Sequence, residues 1–147
     1  MSSLLEALTG VAYVGIDSSP FIYLIETHPA YLSLVEPLFE RIDVGEINAV
    51  TSTITVAEVT VLPLRQQRYD LRDKYQSLLL NNRNLDIIAV DIQVAQIAAE
   101  LRAKFGVRLP DAIQVAAAIL AKCEAFITND RSLRQIIDIP ILILDLF

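Results

Sequence analysis

Cysteine, histidine and glycine are scarce in this 147-residue chain, and each scarcity closes off a class of chemistry. A single cysteine, Cys123, leaves no internal disulfide, and together with the single histidine, His28, it cannot complete a zinc site. The same shortage leaves no arrangement of nucleophile, base and orienting acid for covalent catalysis. Four glycines mean few flexible joints. No apolar run approaches the roughly eighteen residues of a membrane span. No lysine or arginine precedes Arg41, so a secretory leader with a basic start is not expected; a cytoplasmic protein without membrane attachment is. Bases are also outnumbered, 12 to 18, and a net charge of −6 argues against a protein that grips nucleic acid by bulk electrostatics.

Apolar residues, by contrast, make up 54% of the chain, which suits a sheet whose strands are covered on both faces. The length fits one domain over residues 1–147, with no internal repeat or Pro/Gly-rich linker. Charge is uneven. Residues 1–40 hold Glu6, Asp17, Glu26, Glu36 and Glu40 and no base, whereas residues 65–108 hold eight bases against five acids.

Periodicity and punctuation predict strands at Val11–Ile16, Ile47–Val50, Leu85–Val90, Ala125–Thr128 and Ile141–Leu144. Between them the pattern predicts helices at Phe21–Glu26, at Ala30–Val44, from about Val56, at Tyr69–Leu80, at Val94–Phe105 and at Asp111–Lys122. Pro63 is expected to kink or end the helix that carries Glu58. Asp91 is expected to cap the Val94 helix and Gly106 to stop it, while Asp130 caps a short helix to Ile136. Strands alternating with helices predict an α/β fold, a three-layer α/β/α sandwich around a parallel sheet of four to five strands with right-handed crossovers.

In such a sheet the site lies outside the carboxyl ends of the strands. Asp17 ends the first strand, Asp130 follows the fourth, and Glu58 and Asp111 sit in early helical turns facing the same edge. Four carboxylates drawn together repel one another unless a hard divalent cation, Mg²⁺ or Mn²⁺, shares them. One or two such ions can activate a water and stabilise charge on a phosphoryl group, without any nucleophilic side chain. Each acid alone has a plainer reading: Asp17, Asp111 and Asp130 as caps or helix-dipole partners, Glu58 as a solvated helix position. Their convergence on one rim is what points to chemistry. His28 reads as a surface turn residue, Cys123 as a small buried hydrophobe, and the tyrosines as packing. Arg65, Arg68 and Arg72 could line a helix face for RNA or merely be solvated.

Four segments in order, G-I-D-S-S at Gly15–Ser19, T-S-T-I-T-V-A-E-V at Thr51–Val59, L-P-D-A at Leu109–Ala112 and T-N-D at Thr128–Asp130, resemble the PIN-domain family, and within it the VapC-like toxin ribonucleases. The resemblance spans about Val11 to Leu144. It implies Mg²⁺- or Mn²⁺-dependent cleavage of RNA, with Asp17, Glu58, Asp111 and Asp130 on the family's acidic positions. Thr128 falls on its Ser/Thr position, and Asn129 and Ser18 lie beside the acids in supporting places. Arg65, Arg68 and Arg131 are candidates for substrate contact. The resemblance further implies a homodimer held inactive by a small antitoxin protein, for which Leu62–Leu64 and Leu78–Leu80 are candidate contacts. The rival reading on the same fold is a catalytically weak or inactive binding module acting through such a partner or its own dimer. A phosphatase of the haloacid type would need a second aspartate where Ser19 stands.

Overall fold

The computed structural model describes residues 3–147; the first two residues of the expected 1–147 domain lie outside the described residues. Five strands, β1 (Tyr13–Ile16), β2 (Asn48–Ser52), β3 (Leu85–Ile88), β4 (Ala125–Thr128) and β5 (Ile141–Ile143), form one parallel sheet in the order β3-β2-β1-β4-β5. The helices among the described residues are α1 (Leu4–Ala7), α2 (Ser18–Ile25), α3 (Leu32–Asp43), α4 (Thr53–Arg65), α5 (Tyr69–Leu80), α6 (Ile92–Phe105) and α7 (Leu109–Leu120). Two 3-10 turns follow, Arg131–Gln135 and Leu144–Leu146. The α/β/α sandwich is the expected one.

The period-2 geometry of a strand sends neighbouring side chains to opposite faces. Val14, Ile16 and Ile127 therefore enter one core, with Phe21, Leu38, Phe39, Leu71 and Tyr75 from α2, α3 and α5. Phe126 enters the other, with Ala98, Leu101, Val115 and Ala118 from α6 and α7. Gly15 shares the face of Phe126. A Cβ built on it would stand 2.5 Å from the Ala118 Cβ and 2.9 Å from the Phe126 ring, so α7 packs directly on the backbone of the central strand.

Several boundaries differ from the sequence reading, each for a local reason. α2 starts at Ser18 rather than Phe21, because Asp17 itself is the N-cap and accepts from the Ser18 amide. α4 starts at Thr53 rather than Val56, because Ser52 caps it through the Ile54 amide. Pro63 does not end α4: it sits in the last turn, buried, and the helix closes normally at Arg65. Pro37 lies deeper inside α3. An interior proline costs about 3 kcal/mol, which burial of Val35, Leu38, Phe39 and Ile42 offsets at about 1.5–3 kcal/mol per side chain. Asp130 caps a 3-10 turn rather than an α-helix. α6 behaves as read, capped by Asp91 and stopped by Gly106 at φ 70°. Among the described residues no helix is long and apolar enough to cross a membrane.

The close approach at Gly15 yields a stability prediction. Gly15→Ala should lower the unfolding free energy by about 1–3 kcal/mol, the usual range for overpacking, read as a lower urea midpoint. An unchanged midpoint would mean that α7 can lift off the sheet freely.

Candidate active site

Strand register creates the rim. Ile16 pairs with Ile127, so the residues just beyond them, Asp17 and Thr128, stand side by side at the carboxyl edge. The Thr128 hydroxyl donates to Asp17 Oδ2 at 2.7 Å and accepts the Asp130 amide at 3.0 Å, bridging the two acids. Asp130 Oδ1 accepts from the Ser132 amide and hydroxyl at 2.9 and 2.7 Å, which fixes its carboxylate as the cap of the turn below. Asp111 lies in the first turn of α7 and joins Asp17, Ser18, Ser19, Tyr23, Asn129, Asp130 and Arg131 around one open pocket of about 350 Å³. Glu58, in the second turn of α4, borders this group from the side and is felt electrostatically by Asp17.

Crowding shows in the proton affinities. Asp17 is only 7% exposed, and burial raises its carboxyl above the usual range, while the Thr128 and Ser18 bonds pull it back and Glu58 and Asp130 push it further up. Burial, then Asp17 and Asp130, push Asp111 up to about 6, against the pull of Arg108. Burial also raises Glu58, opposed by the bond from Gln114; Asp111 adds to the rise, and Ser18 and Arg108 oppose it. Asp111 Oδ2 is buried without a hydrogen-bond partner. Two ionised carboxylates have no proton to share, so this oxygen is satisfied by a proton held with Asp130, by a water or by a cation. An all-oxygen donor set with one orphaned oxygen fits Mg²⁺ or Mn²⁺. Among the described residues, however, no three His, Cys, Asp or Glu side chains are so arranged that they would hold an ion as they stand.

The supporting residues divide. Asn129 lines the pocket, but its amide is spent on a tether: Nδ2 donates to the Tyr23 hydroxyl at 3.0 Å and Oδ1 accepts from the Asp145 amide at 2.8 Å. Arg131 also lines the pocket, and one of its nitrogens pairs with Asp145 at 2.6 Å. Arg65 and Arg68 do not line it; Arg68 pairs with Asp70 at 3.3 Å. Arg65 follows Glu58 by seven residues, so it lies on the same face of α4, about 10 Å further along the axis. His28 is more than a turn residue, since its ring packs 4.9 Å from Tyr23 and 5.0 Å from Tyr31.

Sequence reasoning passed over Gln114, Ser19 and Arg108. Gln114 is 2% exposed and reaches Asp17, Glu58, Ser52 and Thr55. Its signal was a lone polar residue in an otherwise apolar, Ala-rich helix, three places after Asp111. Ser19 carries a buried hydroxyl without a partner in the pocket wall. Arg108 is the cation felt by both Glu58 and Asp111.

The PIN domain family profile matches residues 14–138. A comparison with curated proteins gives no significant match. Among solved structures, a chain of a toxin–antitoxin complex from Klebsiella pneumoniae superposes with a TM-score of 0.67 at 22% identity, covering 90% of this chain and 97% of that one. A chain of VapBC2 from Rickettsia felis, bound to a DNA fragment from its promoter, gives 0.62 at 18% identity over 89% and 97%. A chain of VapBC-5 from Mycobacterium tuberculosis, of the VapBC toxin–antitoxin family, gives 0.58 at 23% identity over 90% and 98%. At these identities the likeness is one of fold.

The raised Asp111 makes stability fall with pH in the metal-free protein. Unfolding returns the carboxyl to its ordinary value of 3.8, so the unfolded chain ionises first and stability drains as pH rises from there through about 6. Asp111→Asn removes that penalty. Its Tm should exceed the parent's near pH 8, and the gap should close near pH 4, where the folded carboxyl is already neutral. A gap independent of pH would assign the penalty to another group.

Proposed function

The chain belongs to the PIN-domain family, and from that premise we propose that it is a Mg²⁺- or Mn²⁺-dependent endoribonuclease, the toxin of a toxin–antitoxin pair. The observation that carries this reading is the buried, partnerless Asp111 Oδ2 in a pocket shared with Asp17 and Asp130. A polar atom left in that state in a folded core costs about 1–3 kcal/mol, a cost that makes sense where a ligand meets it.

Asp17, Asp111, Asp130 and Glu58 would hold the ion. When bound, it supplies a Lewis acid that activates water and stabilises charge on the phosphoryl group. The chain's own groups prepare the pocket. Thr128 and the Ser18 amide hold both oxygens of Asp17 and favour its ionised form. Ser132 holds Asp130 in place through two bonds to one oxygen, leaving the other oxygen of that carboxylate for the pocket. Arg108 and Arg131 stand at the margin, where a polyanionic backbone needs cations, and Arg65 extends that line along α4. With the metal carboxylates discounted, the remaining chain carries a net charge of only −2.

Neither the cysteine nor the histidine is placed to act as a nucleophile. Burial pushes the Cys123 thiol up to about 12, and Cys123 lies beyond the end of α7 remote from Asp111. His28 is engaged in the Tyr23–Tyr31 cluster and its Nδ1 accepts the Ala30 amide at 3.0 Å. In this reading water is the attacking group.

For the partner, α4 and α5 present Val61, Leu62, Leu64, Tyr69 and Leu80 to solvent. Such a face suits an amphipathic segment of a small antitoxin. Leu79, within the Leu78–Leu80 stretch considered for that contact, is instead core. The reading as a binding module has one observation in its favour, the lack of a ligating group of three acids among the described residues.

Cleavage of a panel of structured RNAs in Mg²⁺, Mn²⁺ and EDTA tests the proposal. Cutting should require metal and fall at least about a hundredfold in Asp111→Asn and in Glu58→Gln, if these carboxylates act in the reaction. Folded protein that neither cuts nor binds Mn²⁺ would favour the binding module.

A further inference from the structure

Gln114 projects from α7 into the interior beneath the carboxylates, where every atom of its amide is engaged. Its Oε1 accepts the Ser52 hydroxyl at 2.7 Å. Its Nε2 lies 2.7 Å from Thr55 Oγ1, 3.3 Å from Glu58 Oε1 and 3.5 Å from Asp17 Oδ1. Ionised carboxylates only accept, so the nitrogen, not the oxygen, must face them. One N–H is committed to Thr55 by its short distance. The second is forked between Asp17 and Glu58, residues separated by 41 positions and carried on different elements.

Glu58 has few other anchors. It is the most exposed of the four acids, on a helix whose neighbouring positions Ala57, Val61 and Leu62 face solvent, and only the Gln114 amide, Ser18 and the charge of Arg108 draw its carboxylate inward. We propose that Gln114 is the positioning residue that holds Glu58 against Asp17, so that the α4 carboxylate belongs to the pocket rather than to solvent. The proposal rests on the nuclease reading for its consequence, the presentation of a fourth carboxylate to the metal, but the positioning itself is a property of the metal-free fold. An aliphatic side chain of the same size would fill the space and free Glu58 to rotate outward.

Gln114→Met conserves volume and removes both N–H donors. Val59→Ala, a core truncation on α4 beside Glu58 that touches no hydrogen bond, serves as the control for lost stability. Two readouts are compared with Tm. In metal-free protein, the ¹³Cδ resonance of Glu58 should move to that of a solvated glutamate in Gln114→Met and stay in place in Val59→Ala. Mn²⁺ affinity by calorimetry should drop about tenfold in Gln114→Met, the lower end of what loss of a ligand-orienting partner does. Glu58→Gln should then add little in that background, because the carboxylate it removes has already left the site. An unmoved Glu58 resonance in Gln114→Met overturns the proposal, as does a loss of Mn²⁺ affinity that merely tracks Tm across both variants. Absence of Mn²⁺ binding in the parent protein overturns the nuclease reading instead, and leaves the resonance test to decide the positioning.

Discussion

An amide carried into a protein interior must have its donors and acceptors met, because each one left unmet costs about 1–3 kcal/mol. Gln114 meets that demand only when α7, α4 and the ends of β1 and β2 are all in register. The direction of each bond follows from its neighbours. Thr51 spends its hydroxyl proton on the Ile16 carbonyl at 2.7 Å, so in the 2.7 Å contact between Thr51 and Thr55 the donor is Thr55, and Thr55 is left to accept from Gln114. A one-residue slip of β2 would turn the Thr51 hydroxyl into the opposite layer and break the run. The network thus ties the sheet's carboxyl edge to the helices on either face of it, and the acids stand on what it holds.

The acids show how one side chain can serve two ends. Asp17 and Asp130 are helix-type caps, as the plainer reading held, and they are also walls of the pocket. Capping uses one oxygen of each, through Ser18 on Asp17 Oδ1 and Ser132 on Asp130 Oδ1. A cap at the end of a parallel strand is therefore pre-aimed at the rim, since the turn that needs it is the turn that makes the rim. Asp111 differs. No bond reaches its Oδ2, and burial together with the neighbouring acids pushes its carboxyl up to about 6.

What could be read from the sequence were features with a local cause. Asp91 and Gly106 bracket α6 by cap chemistry, and Tyr69–Leu80 and Ala125–Thr128 follow from periodicity and apolar runs. The four acids were found because each lies at a predicted element end. Pro63 was misplaced as the end by two residues: α4 runs on to Arg65, and burial of the ring offsets the hydrogen bond that its missing amide forfeits. Gln114 escaped because its partners lie far along the chain, 59 residues away at Thr55 and 97 at Asp17, and the tether made by Asn129, a residue the sequence did single out, escaped because Tyr23 is 106 residues away. No local pattern encodes such meetings; only the folded register creates them.

Gly15 has a bearing on how evenly the pocket keeps its dimensions. Where helix and strand are spaced by side chains, substitutions elsewhere in the core change the gap by the thickness of a methyl group. Here the spacer is main chain against Ala118, two residues from Asp17 on one side and two helical turns from Asp111 on the other. Bond lengths and van der Waals radii, which neither sequence drift nor temperature alters much, set that gap. The spacing of these two acids behaves as a machined stop, and variation in the outer layers can proceed without retuning it.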